Sequence, residues 1–212
     1  MRGALVTFEG VEGSGKSTHA RLLAERLRSR GLDVVLTSEP DGNALGKAIR
    51  RLFDGPASPP APLTQTFLFM AARHQHVTRL IRPALDRGAI VLSDRYVDAT
   101  LAYQGFGQGM DLETIRDLNA LATGGIAPDL TLLFDLDPEI GMARIKDRRL
   151  DTFERMDLAF HRRVRDGYLE LARAEKRRVV VLPADQDVAA LHDAVVRAVD
   201  DALDRRGTRD GT

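Results

Sequence analysis

The sequence predicts an α/β protein: a doubly wound, mainly parallel sheet of about five strands with helices on both faces. Three observations predict it. Short apolar runs alternate along the chain with amphipathic stretches of helical period. The runs are too uniformly apolar for a sheet with one face in water and read as strands covered on both sides. The first run passes straight into a glycine-rich turn and then a helical pattern.

Ala4–Phe8 is the first predicted strand, followed by Asp33–Thr37, Ala89–Ser93, Leu130–Leu136 and Arg178–Leu182. Lys16–Arg30 carries Ala20, Leu23, Ala24 and Leu27 at helical spacing, and Gly31 stops it. Thr64–Leu80 is a long helix. Asp111 caps a helix to Thr123 with Gly124 beyond its end. Pro138 sits in a first turn after the cap Asp137. Phe153–Glu175 and Asp187–Leu203 complete the helices. The proline-rich stretch 55–62 reads as a stiff surface connection. The polar tail 204–212 is expected to fray.

The chain has 212 residues, enough for one domain that folds on its own core. Lys+Arg and Asp+Glu are 31 each, so no basic excess supports general nucleic-acid binding. The absence of cysteine excludes disulfides, thiolate metal sites and a cysteine nucleophile, and fits a reducing cytoplasm. The N-terminal apolar run is too short for a signal peptide, and no stretch is long enough to span a membrane.

Gly10-Val11-Glu12-Gly13-Ser14-Gly15-Lys16-Ser17 satisfies G-x-x-x-x-G-K-[ST] at every specified position. Glycines let successive backbone N–H groups turn inward on an anion, and the following helix adds the positive end of its dipole. Gly10, Val11, Glu12, Gly13, Ser14, Gly15, Lys16, Ser17 and Thr18 form the predicted ATP-binding set. Lys16 reaches the terminal phosphates, and the Ser17 hydroxyl ligates Mg²⁺. The pattern identifies the donor and leaves the acceptor open.

Other residues point to a small acceptor. Asp94 ends the third apolar strand, where a carboxylate can hold Mg²⁺, and Arg95 beside it offers a phosphate-matching fork. An Asp-Arg pair there is also a common structural ion pair. Phe69 and Arg73 lie four apart on one helix, an aromatic plane and a bidentate donor on one face. A core phenylalanine and a solvated arginine would give the same spacing. Gln104, in Tyr103-Gln104-Gly105, carries both a donor and an acceptor for a base edge.

Together these motifs resemble thymidylate kinases over most of the chain. The matching pieces are Glu12 inside the loop, Glu39-Pro40-Asp41-Gly42, Phe69-Met70-Ala71-Ala72-Arg73, Asp94-Arg95-Tyr96, Ala102-Tyr103-Gln104-Gly105, and Pro128-Asp129-Leu130 with Asp135. The resemblance implies transfer of the ATP γ-phosphate to dTMP by a cytoplasmic homodimer. It implies that Phe69 stacks on thymine, that Arg73 and Gln104 bond its edge, and that Tyr103 crowds the sugar's 2′ side. Glu12 would sit by the 3′-hydroxyl, and Arg95 with Arg50 would grip the acceptor phosphate, near the loop of Glu39. The implied single domain spans 1–203, with a mobile basic lid at about 144–155. There Asp151-Thr152-Phe153-Glu154 has threonine where the family has arginine, leaving Arg149, Arg148 and Arg155 as candidates for the catalytic lid arginine; Arg149 is the one chosen. A kinase of another small acceptor, such as shikimate or a nucleoside, and a nucleotide-dependent switch are the competing readings. No Asn-Lys-x-Asp sequence supports a guanine-reading switch.

Overall fold

The structure is a computed structural model, and it describes residues 3–53, 60–147 and 150–209, with side chains as far as residue 205. Five parallel strands form one sheet: β1 (Leu5–Glu9), β2 (Val34–Ser38), β3 (Ile90–Asp94), β4 (Leu130–Asp135) and β5 (Val179–Pro183), in the order β2-β3-β1-β4-β5. Each begins within a residue of the run that predicts it. Their side chains alternate between the two faces. Val6, Phe8, Ile90 and Leu92 join the larger core, which α1 (Lys16–Ser29), α8 (Leu158–Ala174) and α9 (Val188–Arg209) cover. Leu5, Val91 and Ala89 join a second core under α4 (Arg82–Asp86). In β1, β3 and β4 burial on both faces is why the runs lack polar alternation, while the edge strands β2 and β5 are partly exposed. In the sheet centre the Thr7 and Thr131 hydroxyls bond each other at 2.8 Å, which satisfies both.

The register sets the position of the site. Phe8 pairs with Asp94, and Ser38 also pairs with Asp94. The carboxyl ends of β1, β2 and β3 therefore lie level, beside the point where the chain switches from one side of β1 to the other. Open α/β sheets bind ligands in that crevice.

The remaining helices are α2 (Ala44–Phe53), α3 (Pro62–His76), α5 (Val97–Thr100), α6 (Leu112–Thr123) and α7 (Pro138–Ile145). Asp111 and Asp137 cap α6 and α7 through their side chains, as predicted. Four boundaries differ from the sequence reading. The long helix expected to Leu80 becomes π-helical over Val77–Ile81, just before Pro83, which lacks a donor and crowds the preceding turn. Leu101–Gly107, which contains Tyr103-Gln104-Gly105 and to which the sequence reading assigned no helix, is a second π-helical segment. α8 starts at Leu158 rather than Phe153, because Asp157 caps it by accepting the Phe160 N–H at 2.7 Å. Before it, Asp151 and Glu154 bond each other's backbone N–H groups at 2.9 Å and close a turn. Finally, α9 continues through Arg209, so residues 204–209, expected to fray, are helical. Residues 54–59 of the proline-rich connection lie outside the described residues. Among the described residues no helix is long and apolar enough to cross a membrane.

Candidate active site

Gly10, Gly13 and Gly15 take φ values of 138°, 70° and 93°, which side-chain-bearing residues rarely adopt. Gly15 thereby turns the loop into α1, whose first residue is Lys16. Lys16 Nζ donates to the Val11 carbonyl at 2.7 Å and to Ser14 Oγ at 3.3 Å, inside the loop. Burial, with help from Arg95, lowers its ammonium to about 8 against the pull of Asp94, Glu12 and Glu9. Gly13 has a second reason to be glycine. A Cβ there would lie 2.2 Å from the Gly141 carbonyl oxygen, and a Cβ on Gly141 would lie 2.2 Å from that of Glu12. Two bare backbones pack α7 directly on the phosphate loop. The Ser17 hydroxyl donates to Asp94 Oδ2, bringing together the two side chains predicted to hold Mg²⁺. Lys16, Ser17, Thr18, Asp94 and Arg95 line one cleft of about 1030 Å³.

Arg95 is the one residue other than glycine with positive φ among the described residues, at 70°. A conformation of this kind costs about 1–3 kcal/mol and persists only where its surroundings fix it. Here the Arg95 N–H donates to Phe8 O at 3.0 Å, and Ser93 Oγ donates to Arg95 O at 2.8 Å. The turn sends the guanidinium back over the loop. Its Nη2 donates to Glu12 Oε1 at 2.8 Å and to the Tyr103 hydroxyl oxygen at 3.0 Å. The Tyr103 hydroxyl donates to the same Glu12 oxygen at 2.5 Å. Burial pushes the Glu12 carboxyl up, but His161, Arg95, Lys16 and Tyr103 outweigh it and hold the group well below the carboxylate range. Glu12 is therefore an anion. Glu9, one turn deeper, behaves oppositely: burial, then Asp98, raises it to about 8, although it accepts from the Tyr168 hydroxyl and the Tyr96 N–H, both at 2.7 Å.

A second cavity of about 100 Å³ adjoins the cleft and shares Glu12, Glu39, Arg50 and Arg95 with it. Glu39, Arg50, Phe69, Arg73, Arg95, Tyr103 and Gln104, the whole predicted acceptor set, line this one cavity. They come from β2's end, α2, α3, β3's end and the π-helical segment 101–107. Phe69 stacks on Phe53 with centroids 5.1 Å apart and leans on Phe153 at 5.9 Å. Tyr103 meets Phe153 edge-on at 6.1 Å. The Gln104 amide nitrogen is buried with no partner among the described residues.

Arg73 has a different environment. It is buried, and Glu39 takes its Nε and Nη2 at 2.7 Å. Nη1 donates to Thr100 at 3.0 Å and Asn119 at 2.5 Å, and Nη2 to the Tyr96 carbonyl at 2.8 Å. Every donor on the fork already has a protein acceptor, so Arg73 ties α3, α5 and α6 together at the cavity wall. Glu39 completes this hub. Burial alone would raise it, but Arg73 and His76 hold it low. Thr100, Asn119 and His76 carried no sequence signal, because their roles exist only through these contacts.

Of the lid candidates, Arg148 and Arg149 lie outside the described residues. Arg144 Nη1 donates to the Gly13 carbonyl at 3.1 Å and the Ala184 carbonyl at 3.3 Å, bridging the loop to the β5–α9 connection. Arg155 is exposed and donates to Leu150 O and Thr152 Oγ1. Thr152 itself donates to the Phe53 carbonyl. Asp151 pairs with Arg50 at 2.7 Å, so the segment before α8 closes over α2 at the cavity mouth. Asp151, Phe153 and Glu154 line the cavity, and the sequence reading gave them no role of their own there.

Comparison with known proteins agrees with this geometry. A family model described as thymidylate kinase matches residues 8–195. The thymidylate kinase of an Exiguobacterium species is 46% identical over 211 residues, covering 99% of this chain and 100% of that one. That of Carboxydothermus hydrogenoformans is 50% identical over 181 residues, covering 85% and 89%. The crystal structure of thymidylate kinase from Ehrlichia chaffeensis superposes with a TM-score of 0.79 at 33% identity, covering 94% of this chain and 100% of that one. A phosphate loop and an acceptor cavity meeting at Glu12 and Arg95, on a chain matched nearly end to end, place this protein in the thymidylate kinase family.

Proposed function

We propose that the chain transfers the γ-phosphate of ATP to dTMP, giving dTDP and ADP, as a step of dTTP synthesis. The observation that carries this is the shared wall of the two cavities, where Glu12, Arg50 and Arg95 stand between the phosphate loop and an aromatic-lined pocket.

Phosphoryl transfer asks the protein for alignment and charge neutralisation rather than covalent chemistry. The loop N–H groups and Lys16 hold the donor phosphates. Arg95 and Arg50 hold the acceptor phosphate from the other side, so two anions meet between fixed cations. Ser17 and Asp94, an oxygen pair already in contact, fit Mg²⁺, which binds through few protein oxygens together with phosphates and water. When bound, that ion neutralises charge between the donor phosphates. Phe69 offers a face to thymine, and the unpartnered Gln104 amide bonds its edge. Arg73 acts on the base through the wall it fixes. Tyr103, locked against Glu12 and Arg95, closes the sugar's 2′ side. The basic segment around 144–155 acts as the lid and supplies the arginine, Arg149 in our reading, that faces the transferring phosphate.

In this reading the protein acts as a homodimer in the cytoplasm, where the nucleotide pools are. Leu63 and Phe67 on α3 and Leu121 on α6 are 47%, 53% and 78% exposed, an apolar surface on two packed helices that a second copy would cover.

ADP formation from Mg-ATP, measured separately with dTMP, dUMP, dCMP and dAMP, tests the reaction. dTMP is expected to give the highest kcat/KM. Gln104→Leu should lower that value by about tenfold or more, as a lost hydrogen bond to a bound base does, with an unchanged melting temperature. ADP release that ignores the acceptor would sink the reading and leave a hydrolase.

A further inference from the structure

The two oxygens of Glu12 stand in different surroundings. Oε1 is fully engaged by Tyr103 and Arg95. Oε2 is buried and receives no hydrogen bond from the described residues. His161 Nδ1 lies 3.6 Å from it. That is longer than a formed N–H···O bond, and short enough for a small ring rotation to close. His161 is 1% exposed, and its Nε2 is likewise without a partner.

Buried polar atoms left unpaired are costly, and a matched pair of them separated by less than an ångström of travel marks a contact that the site uses. The tautomer follows from the geometry. A lone pair on Nδ1 would face carboxylate lone pairs, so Nδ1 carries its hydrogen toward Glu12. The other charged or titratable groups acting on Glu12 are Lys16 on α1, Arg95 after β3 and Tyr103 on the π-helical segment. None of them reaches Oε2. His161 sits in the first turn of α8, whose start is fixed by the Asp157 cap, and its ring lies edge-on to Phe160 at 5.4 Å. It therefore joins the helix that follows the lid segment to the one acidic side chain of the phosphate loop.

We infer that His161 is a positioning residue for phosphoryl transfer: its Nδ1–H closes on Glu12 Oε2 and fixes the plane of the carboxylate that receives the acceptor's 3′-hydroxyl. This rests on the reading of Glu12 as the sugar-facing group. Without His161 the carboxylate pivots about its Tyr103 and Arg95 contacts, and its alignment with the sugar is lost.

The test measures kcat and KM for dTMP and for 3′-deoxythymidine monophosphate, which lacks the hydroxyl. The proteins are the unaltered chain, His161→Phe, His161→Asn, Glu12→Gln and the His161→Phe/Glu12→Gln double variant. His161→Phe should lower kcat/KM for dTMP by about ten- to a hundredfold, the range for a hydrogen bond to a charged group. The 3′-deoxy acceptor should lose far less, so the preference for the hydroxyl collapses. Asparagine, whose amide N–H stands where Nδ1–H stood, should restore most of the preference. In the Glu12→Gln background the phenylalanine should cost nothing further. Equal losses with both acceptors, or an undiminished loss beside Glu12→Gln, would make His161 a packing residue and overturn the proposal. If His161→Phe shows no cooperative melting transition, His161→Gln takes its place, since its amide stands at the Nε2 position and leaves the Glu12 contact unmade. A His161→Gln protein with full hydroxyl preference overturns the proposal too. Failure of the underlying reading is separate: the unaltered chain itself would then not prefer dTMP to the 3′-deoxy acceptor.

Discussion

Glu9 and Glu12 lie three residues apart, yet burial governs one and partners govern the other. Glu12 faces Arg95, Lys16 and a histidine and stays ionised. Glu9 faces two neutral donors, and its carboxyl rises from 4.5 to about 8. A raised native value means that the folded protein keeps a proton the unfolded chain releases. The stabilisation from this group is complete below pH 4.5 and is lost as pH rises through about 8. Glu9→Gln keeps an acceptor for the Tyr96 N–H and removes the charge. Its melting temperature should gain on the parent steadily across that window, by the equivalent of a few kcal/mol on the order of the shift, and level off above it. Parallel melting curves from about pH 4 to pH 9, an interval that brackets the window from 4.5 to about 8, would show that Glu9 does not hold its proton. Neither glutamate's state is written in its neighbours along the chain. Phe8-Glu9-Gly10 and Val11-Glu12-Gly13 look alike as tripeptides, and only the fold separates them.

Among elements, the contact between α7 and the phosphate loop is a close backbone constraint at the site itself. Because Gly13 and Gly141 meet backbone to backbone, Gly141→Ala has no flexible neighbour to push aside. The loop itself must move. Misplacing reacting groups by about 1 Å can cost roughly 10²-fold in rate, so kcat/KM for ATP should fall at least tenfold while α7 remains helical. Steady-state kinetics beside circular dichroism would check both halves. A second element contact responds to pH. Phe134, His19 on α1 and His192 on α9 form a stack with centroids 5.4 and 5.9 Å apart. Burial lowers both histidines; His192 lowers His19 further, and Arg26 does the same to His192. Their native values lie below 6.5, so the unfolded chain binds protons first as pH falls. Stability from this contact is whole above 6.5 and drains away below it. His192→Phe keeps the stack and should soften that acid loss in urea titrations; an unchanged slope would mean the pair does not titrate with unfolding.

At the scale of the molecule, acidic and basic residues are equal in number, and the cleft carries both signs, with Glu12, Glu39, Asp94 and Asp151 standing among its cations. Lys16, Arg50 and Arg95 converge on the cleft, where we propose that the two phosphate-bearing substrates meet. The apolar residues Leu63, Phe67 and Leu121 lie on α3 and α6, and Arg73, rooted in α3, holds the acceptor wall through Asn119 of α6. A homodimer formed over those helices would stiffen the wall from behind. Sedimentation should give twice the chain mass, and Phe67→Glu should shift it toward one chain, since a charge in an interface core is not compensated by the buried area. A monomer in both cases would reject the dimer.

Much of this was legible in the sequence alone. The five strands declared themselves as short apolar runs, which burial on both faces requires of β1, β3 and β4. The phosphate loop declared itself because anion binding by backbone fixes glycines at set spacings. Phe69, Arg73, Tyr103 and Gln104, the residues proposed for the acceptor, keep a recognisable order in the chain and line one cavity. The strand and loop signals are local: each is carried by residues within a turn or two of one another. What the tertiary structure decided lies between residues far apart in the chain. The α8 start moved to Leu158 because Asp157 won the cap, and the π-helical segment turned both Tyr103 and Gln104 to the cavity wall. Arg73, predicted to read the base, was claimed by Glu39, Thr100, Tyr96 and Asn119, and Glu12 met His161 across 149 positions (161 − 12). Hydrophobic periodicity and glycine spacing cannot encode such meetings, because a hydrogen bond or ion pair depends on distance in space, and that distance exists only once the sheet has ordered its strands.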